Sequence, residues 1–213
     1  LMDFQNIGVR AVRHAICSSV APKTVFNIKR LCETYFGCTP RFVGGPNCRL
    51  PVEVRVDAPE EVGADRIVNT VGAYRQYGPN LIVLDFGTAA TFDVVDADGA
   101  YAGGVIAPGP TLSIEALHRA AARLPNIDVA RPERVVGRTT LECMRSGAYW
   151  GYVSLIEGVV ARIDAERGVT STVIATGGLS ALLAKATDAI HHVDPAVTMR
   201  GLVEIHEHNM APG

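Results

Sequence analysis

The clearest pattern in the chain is an apolar run, Leu81-Ile82-Val83-Leu84, which predicts a buried strand. It opens the stretch LDFGTAATFD, residues 84–93, which holds two carboxylates. A carboxylate at the end of a buried strand is costly unless a cation or a hydrogen-bond donor meets it. Three strands are expected here, over 81–86, 90–96 and 100–107. Gly87-Thr88 separates the first two. Asp96-Ala97-Asp98-Gly99, a tight-turn signature, separates the second and third, so the three form a meander.

Upstream, Ala15–Val20 has the pattern of a short strand that Ala21-Pro22 breaks. Residues 24–36 have helical spacing, with Val25, Ile28, Leu31, Cys32 and Tyr35 on one face and Gly37 as the stop. Arg41-Phe42-Val43 returns as a strand, and this β-helix-β order predicts parallel pairing in an α/β layer. Residues 44–60 read as a loop with an extended piece from Val52 to Val56. A helix follows over 61–77, and Gly78-Pro79-Asn80 ends it at a natural domain boundary.

Downstream, the pattern predicts helices over 111–123 and 141–166, a strand over 172–175 and a last helix over 201–208. The long helix carries Leu141, Met144, Ala148, Tyr152, Leu155, Val159 and Ile163 as apolar positions. Gly147 and Gly151 lie one turn apart on it and would admit another helix closely, either from a second subunit or from within one subunit.

Composition narrows the class. The chain has 213 residues, 48% hydrophobic and 20% charged, with a formal net charge of −2. Its length supports one large domain or two small ones. The charge gives no push toward nucleic acid or an anionic membrane. No apolar run approaches the roughly 20 residues of a membrane helix. The first residues lack a basic–apolar–small signal pattern, so a cytoplasmic location is expected. The five cysteines, Cys17, Cys32, Cys38, Cys48 and Cys143, form no CxxC pair, and reduced thiols are expected.

Three strand ends carry glycines: Asp85-Phe86-Gly87-Thr88, Gly103–Gly109 and Ala175-Thr176-Gly177-Gly178. Each could turn backbone N–H groups toward an anion, although glycines after strands mostly serve turns. Neither a Walker loop nor a GxGxxG opening a helix is present. Asp85 would hold a metal ion that meets phosphate oxygens, or it would cap N–H groups of the turn. Gly63-Ala64-Asp65-Arg66 lies in the helical stretch. An acid beside a guanidinium usually marks a solvated helix face. Its functional reading is a base that takes a proton from an alcohol, next to a cation that fixes an acidic substrate. The histidines have no metal-ligand spacing, His191-His192 reading as a strand edge or loop, and no GxSxG elbow occurs.

Taken together, EVGADRIVN at 61–69, DFGTAATFDVV at 85–95, GGVIAPG at 103–109, SG at 146–147 and ATGGL at 175–179 closely resemble the type III pantothenate kinases. The resemblance extends more weakly to both ends of the chain. It implies an α/β, two-domain actin-like ATPase (ribonuclease H-like) fold, with nucleotide in the cleft. The expected division is 1–79 as the remainder of the first domain, with a C-terminal helix at 201–213, and 80–200 as the second. The implied reaction is ATP-dependent phosphorylation of pantothenate, the first step of coenzyme A synthesis. The implied cofactors are ATP, a divalent cation such as Mg2+, and a monovalent cation, K+ or NH4+. The implied assembly is a homodimer formed through the helix 141–166, with no nucleic-acid or membrane partner.

The resemblance also implies roles. Asp65 matches the proton acceptor for the pantothenate hydroxyl, and Gly63, Ala64 and Arg66 match its substrate-binding neighbours. Thr140 matches a pantothenate-contacting threonine. Asp85 matches the ligand of the monovalent cation. Thr88 matches a contact to ATP phosphate, with Gly87, Gly177 and Gly178 as nucleotide-binding glycines. Asp93 receives no role. The family opens with a DxGNT-type phosphate loop, and this chain starts downstream of it. The first domain is therefore expected to be truncated at its N-terminus, with an exposed sheet edge near Ile16 and little kinase activity. Val56 stands where the family often has Tyr, Thr139 where Asn or Asp is usual, and Ala90 where Thr is common. Two other functions compete: a non-catalytic regulator on the same scaffold, and a sugar or acetate kinase of the superfold, which the GADR element opposes.

Overall fold

The computed structural model describes residues 8–19, 21–121 and 123–211. Its centre is a five-stranded sheet in the order β5-β4-β3-β6-β7. Strands β3 (Leu81–Phe86), β4 (Ala89–Val95) and β5 (Tyr101–Pro108) form the expected antiparallel meander. Strand β6 (Thr172–Gly177) pairs parallel with β3, and β7 (His192–Val193) pairs parallel with β6. The two short strands β1 (Ile16–Cys17) and β2 (Arg41–Phe42) pair parallel, as the β-helix-β order requires. Val20, at the end of the strand expected over 15–20, lies outside the described residues, as do Ala122 and residues 212–213 of the expected helices.

The sheet is covered on both faces, which explains the unbroken apolar run. Ile82, Leu84 and Phe86 pack with Tyr149, Val153, Ile156 and Val160 of helix α4 (Thr140–Arg167). Leu81 and Val83, one pleat away, pack on the other face with Ala73 of helix α2 (Ala64–Tyr77) and Val197 of helix α6 (Val197–Met210). Helices α2 and α6 touch backbone to backbone. A Cβ at Gly72 would overlap the Val197 carbonyl, and one at Gly201 would overlap that of Val68.

Strand register then sets the site. Val83 lies opposite Asp93, and Asp85 opposite Thr91. Residues directly opposite share a face, so Asp85, Thr91 and Asp93 all stand on the face that α2 covers. That face is apolar toward Leu81 and Val95 and polar toward the C-terminal end of β3.

Several expectations are corrected. The helix over 24–36 forms as α1 (Pro22–Leu31) followed by a π-helical turn, Cys32–Phe36, that ends at Gly37. Of its apolar face only Cys32 is buried, while Phe26 and Tyr35 are 65% and 68% exposed. The buried stripe of α4 runs through Tyr149, Val153, Ile156 and Val160. Of the predicted positions only Met144 is buried, Tyr152, Leu155, Val159 and Ile163 flank the core, and Leu141 is exposed. Gly147 and Gly151 do not pack inside the subunit, since an added Cβ meets nothing within 4 Å at either. The extended piece at 52–56 pairs with the start of β5 through Val54 and Tyr101. Helix α3 (Pro110–Ala120) and the one-turn helix α5 (Ser180–Leu183) complete the chain.

Candidate active site

Helix α2 begins at the polar end of that face. Gly63 is its N-cap, and Asp65 sits in the first turn. The helix dipole and unpaired N–H groups favour an anionic side chain there. The Asp65 carboxylate accepts the Arg66 backbone N–H at 2.9 Å and is otherwise exposed, open to a ligand. A Cβ at Gly63 would stand 2.6 Å from Asp65 Oδ1, so glycine leaves the carboxylate its position.

The neighbouring Arg66 is not on a solvated helix face. Its Nε donates to Asp93 Oδ1 at 2.6 Å, and Thr91 Oγ1 donates to Asp93 Oδ2 at 3.1 Å. The guanidinium carbon lies 5.4 Å from the centre of the Tyr101 ring. Asp93 is fully buried. Burial pushes its carboxyl up to about 6, against the Arg66 charge and the hydrogen bonds from Arg66, Thr91 and Tyr101. The second carboxylate of LDFGTAATFD is thus the anchor of Arg66.

The first carboxylate, Asp85, is half-buried at the end of β3. Its Oδ2 accepts from Asn69 Nδ2 at 3.1 Å. Burial raises its pKa, the Asn69 bond opposes the rise, and the nearby Asp65 adds to it. Asp65 and Asp85 are therefore within electrostatic reach of each other. On β6, Gly177 has φ +85, and a Cβ there would stand 2.5 Å from the Phe86 carbonyl and 2.8 Å from Asp85 Oδ1. Only glycine adopts this backbone and leaves that oxygen open. Among the described residues no three His, Cys, Asp or Glu side chains converge on a metal position. One carboxylate with open space beside it suits a hard cation that completes its shell with water or phosphate oxygens.

All three glycine-bearing strand ends converge. β3 and β6 are parallel neighbours, so their C-terminal ends lie side by side, the place where α/β sheets bind ligands. A cavity of about 500 Å3 opens there, lined by Phe86, Gly87, Thr88, Gly178 and Leu179, and by Thr111, Leu112 and Glu115 from α3. The third strand end closes it. Gly109 N–H donates to the Thr88 carbonyl at 2.8 Å, and a Cβ at Gly109 would overlap the carbonyls of Gly87 and Thr88.

Thr140 does not join this group within the subunit. It begins α4 and lines a separate apolar cavity of about 440 Å3 between α3 and α4, with Leu117, Met144, Gly147 and Tyr152. Thr139 caps α4, its hydroxyl accepting from Glu142 N–H at 3.2 Å. Val56 packs 3.7 Å from where a Cβ of Gly103 would be. Ala90 is buried in β4. Sequence reasoning missed Asn69, Thr91, Asp93, Tyr101 and Thr198. For Asp93, strand parity was an available signal, since residues 85 and 93 lie an even number apart across a three-residue connection, Gly87-Thr88-Ala89, that sets Phe86 opposite Ala90.

Comparison with known proteins identifies the family. The family model for type III pantothenate kinase matches residues 1–162. The chain is 54% identical over 209 residues to a type III pantothenate kinase of Cereibacter sphaeroides, covering 98% of this chain and 81% of that protein. It is 52% identical over 211 residues to a type III pantothenate kinase of Caulobacter vibrioides, covering 98% and 80%. A crystal structure of a conserved Baf family transcriptional activator from Campylobacter jejuni superposes with a TM-score of 0.66 at 19% identity, covering 98% of this chain and 87% of that one, a likeness of fold. With the motifs, the strand-end cavity and these relatives in agreement, the chain belongs to the type III pantothenate kinase family.

Proposed function

We propose that this chain transfers the γ-phosphate of ATP to the hydroxyl of pantothenate, with Asp65 as the proton acceptor. The new bond joins the pantothenate oxygen to phosphorus. The bond to the ADP oxygen breaks, ADP leaves, and the hydroxyl proton passes to Asp65. One observation carries the reading: the exposed Asp65 at the start of α2 and the glycine-lined cavity at the ends of β3 and β6 share one end of the sheet, with Asp85 between them. Positioning and charge neutralisation supply most of the catalysis in such transfers.

In this reading Thr88, Gly87, Gly177 and Gly178 cradle the ATP phosphates. Asp85 would hold the monovalent cation, K+ or NH4+, and Mg2+ would arrive with the nucleotide. Either ion supplies neutralisation of phosphate charge. Gly63, Ala64 and Arg66 bind pantothenate, with Arg66 meeting its carboxylate. Thr140 would reach pantothenate only across a homodimer. The open Gly147/Gly151 face of α4 supports a dimer contact there, and sedimentation of wild type against Gly147→Glu tests it: loss of a dimer is expected, and an unchanged monomer overturns it. The reaction is assigned to the cytoplasm. No helix among the described residues is long and apolar enough to cross a membrane.

Asp65→Asn tests the central role. In the enzyme with the opening phosphate-loop segment present, turnover should be lost with ATP binding largely kept. Wild-type turnover in that variant removes Asp65 as the base.

A further inference from the structure

Asp93 presents an energetic puzzle. A buried ion pair within a sheet is at best neutral against an apolar pair of the same volume. Val or Leu at this position would extend the apolar face that Val83 and Val95 begin. The carboxylate instead grips one atom, Arg66 Nε, at 2.6 Å, and its second oxygen is held by Thr91 Oγ1 at 3.1 Å. The guanidinium is thereby fixed in orientation. The Tyr101 ring supports it at 5.4 Å, and Gly104 clears space for it, since a Cβ there would stand 2.9 Å from Nη2. Nη2 is itself buried and has no hydrogen-bond partner among the described residues. A guanidinium recognises a carboxylate through directed N–H groups, and holding it by Nε leaves an Nη group for that purpose.

We propose that Asp93 is a positioning residue that makes the site select an acidic substrate, by holding Arg66 through Nε so that the guanidinium keeps the orientation from which an Nη group meets the substrate carboxylate. Thr91 is the second part of the device, because with the Tyr101 hydroxyl it helps to hold the Asp93 carboxylate in place. The inference rests on the reading that Arg66 meets the carboxylate of pantothenate. It adds the residues that give this arginine its direction, two strand positions 25 and 27 residues from it in the chain.

The test compares pantothenate with its neutral primary amide, by calorimetric binding and by steady-state kinetics, in wild type, Asp93→Asn, Thr91→Val and Arg66→Gln. Asp93→Asn keeps the volume and loses the charge. It should weaken pantothenate binding and raise its KM by about 10-fold or more, with kcat changed by less than about 3-fold and the amide unaffected. The preference for acid over amide should collapse, and the KM for ATP should stay put. Thr91→Val should lower the same preference by about 2- to 3-fold, and it carries the test if Asp93→Asn does not fold. Equal losses for acid and amide in Asp93→Asn, or an unchanged preference in Thr91→Val, overturn the proposal. Arg66→Gln separates the two levels. If it retains the wild-type preference, the assignment of Arg66 to the carboxylate fails. If it loses the preference while Asp93→Asn keeps it, only the role of Asp93 fails.

Discussion

Thr198 on the last helix donates its hydroxyl to Asn69 Oδ1 on α2 at 2.7 Å. That bond orients the Asn69 amide so that its Nδ2 points at Asp85, 3.1 Å away. A helix more than a hundred residues downstream thus decides which face of an amide Asp85 meets, and Asp85 is held as an acceptor.

Asn69 is 1% exposed, so cutting this relay leaves polar atoms buried. Asn69→Leu should cost about 1–3 kcal/mol of stability. It should also raise the cation concentration needed for half-maximal activity, because Asp85 loses the hydrogen bond from Asn69 that favours its charged form. Thr198→Val should do the same more weakly. Urea melts and cation titrations read the two effects, and an unchanged cation requirement in both variants removes the relay from the site.

The pH dependence of Asp93 has an unusual sign. Its carboxyl titrates near 3.8 in the unfolded chain and is pushed up to about 6 in the fold. Between those values the folded state binds more protons than the unfolded state, so this group's contribution to stability grows as pH falls. About 3 kcal/mol is gained on going from above pH 6 to below pH 4. Other groups titrate too, Asp85 with the same sign and Asp98 and Asp194 with the opposite one. The test is therefore the difference in pH slope of the urea midpoint between wild type and Asp93→Asn. A flat difference from pH 7 to pH 5 contradicts it. Over the same range protonation of Asp93 should loosen Arg66, so pantothenate KM should rise in wild type and stay level in the variant.

The α2–α6 crossing should be intolerant of a single methyl group. A Cβ at Gly72 or Gly201 would strike backbone carbonyls, which cannot rotate away. Gly72→Ala and Gly201→Ala should each destabilise by about 2 kcal/mol or more. Gly147→Ala, at an open helix position, should leave the fold as stable or stabilise it by up to about 1 kcal/mol. Thermal melts of the three variants check the contrast.

Gly177→Ala combines a left-handed backbone with contact to Phe86 and Asp85. It should cost about 1–3 kcal/mol and impair the strand end that faces the cavity. Gly178→Ala, with nothing within 4 Å of its Cβ, should leave stability unchanged, so any loss of ATP affinity there reports on the cavity alone.

Much of the architecture was legible because it follows local rules. The apolar run 81–84 announced the central strand, Asp96–Gly99 the turn, and Gly37 and Gly78 the helix ends. The three glycine-bearing strand ends were legible one by one, but their convergence came only with the parallel pairing of β3 and β6. The buried face of α4 was not legible. Apolar residues lie on several sides of this helix, and spacing alone favoured a stripe through Tyr152 and Leu155 over the observed one through Tyr149, Val153 and Ile156. Helix α5 and strand β7, four and two residues long, are too short to show a period.

For the site itself, the chain alone supplied the candidate residues: an acid and a guanidinium opening α2, a carboxylate ending β3, and glycines at three strand ends. Only the tertiary structure decided what they touch. Arg66 meets Asp93 because antiparallel register puts Asp93 on the face of Val83 and because α2 lies across that face. Asp85 meets Asn69 because α6 presses α2 down through Gly72 and Gly201. Local periodicity dictates elements and faces. Pairings between residues 27 and 129 positions apart depend on how those faces pack, and no local pattern encodes them.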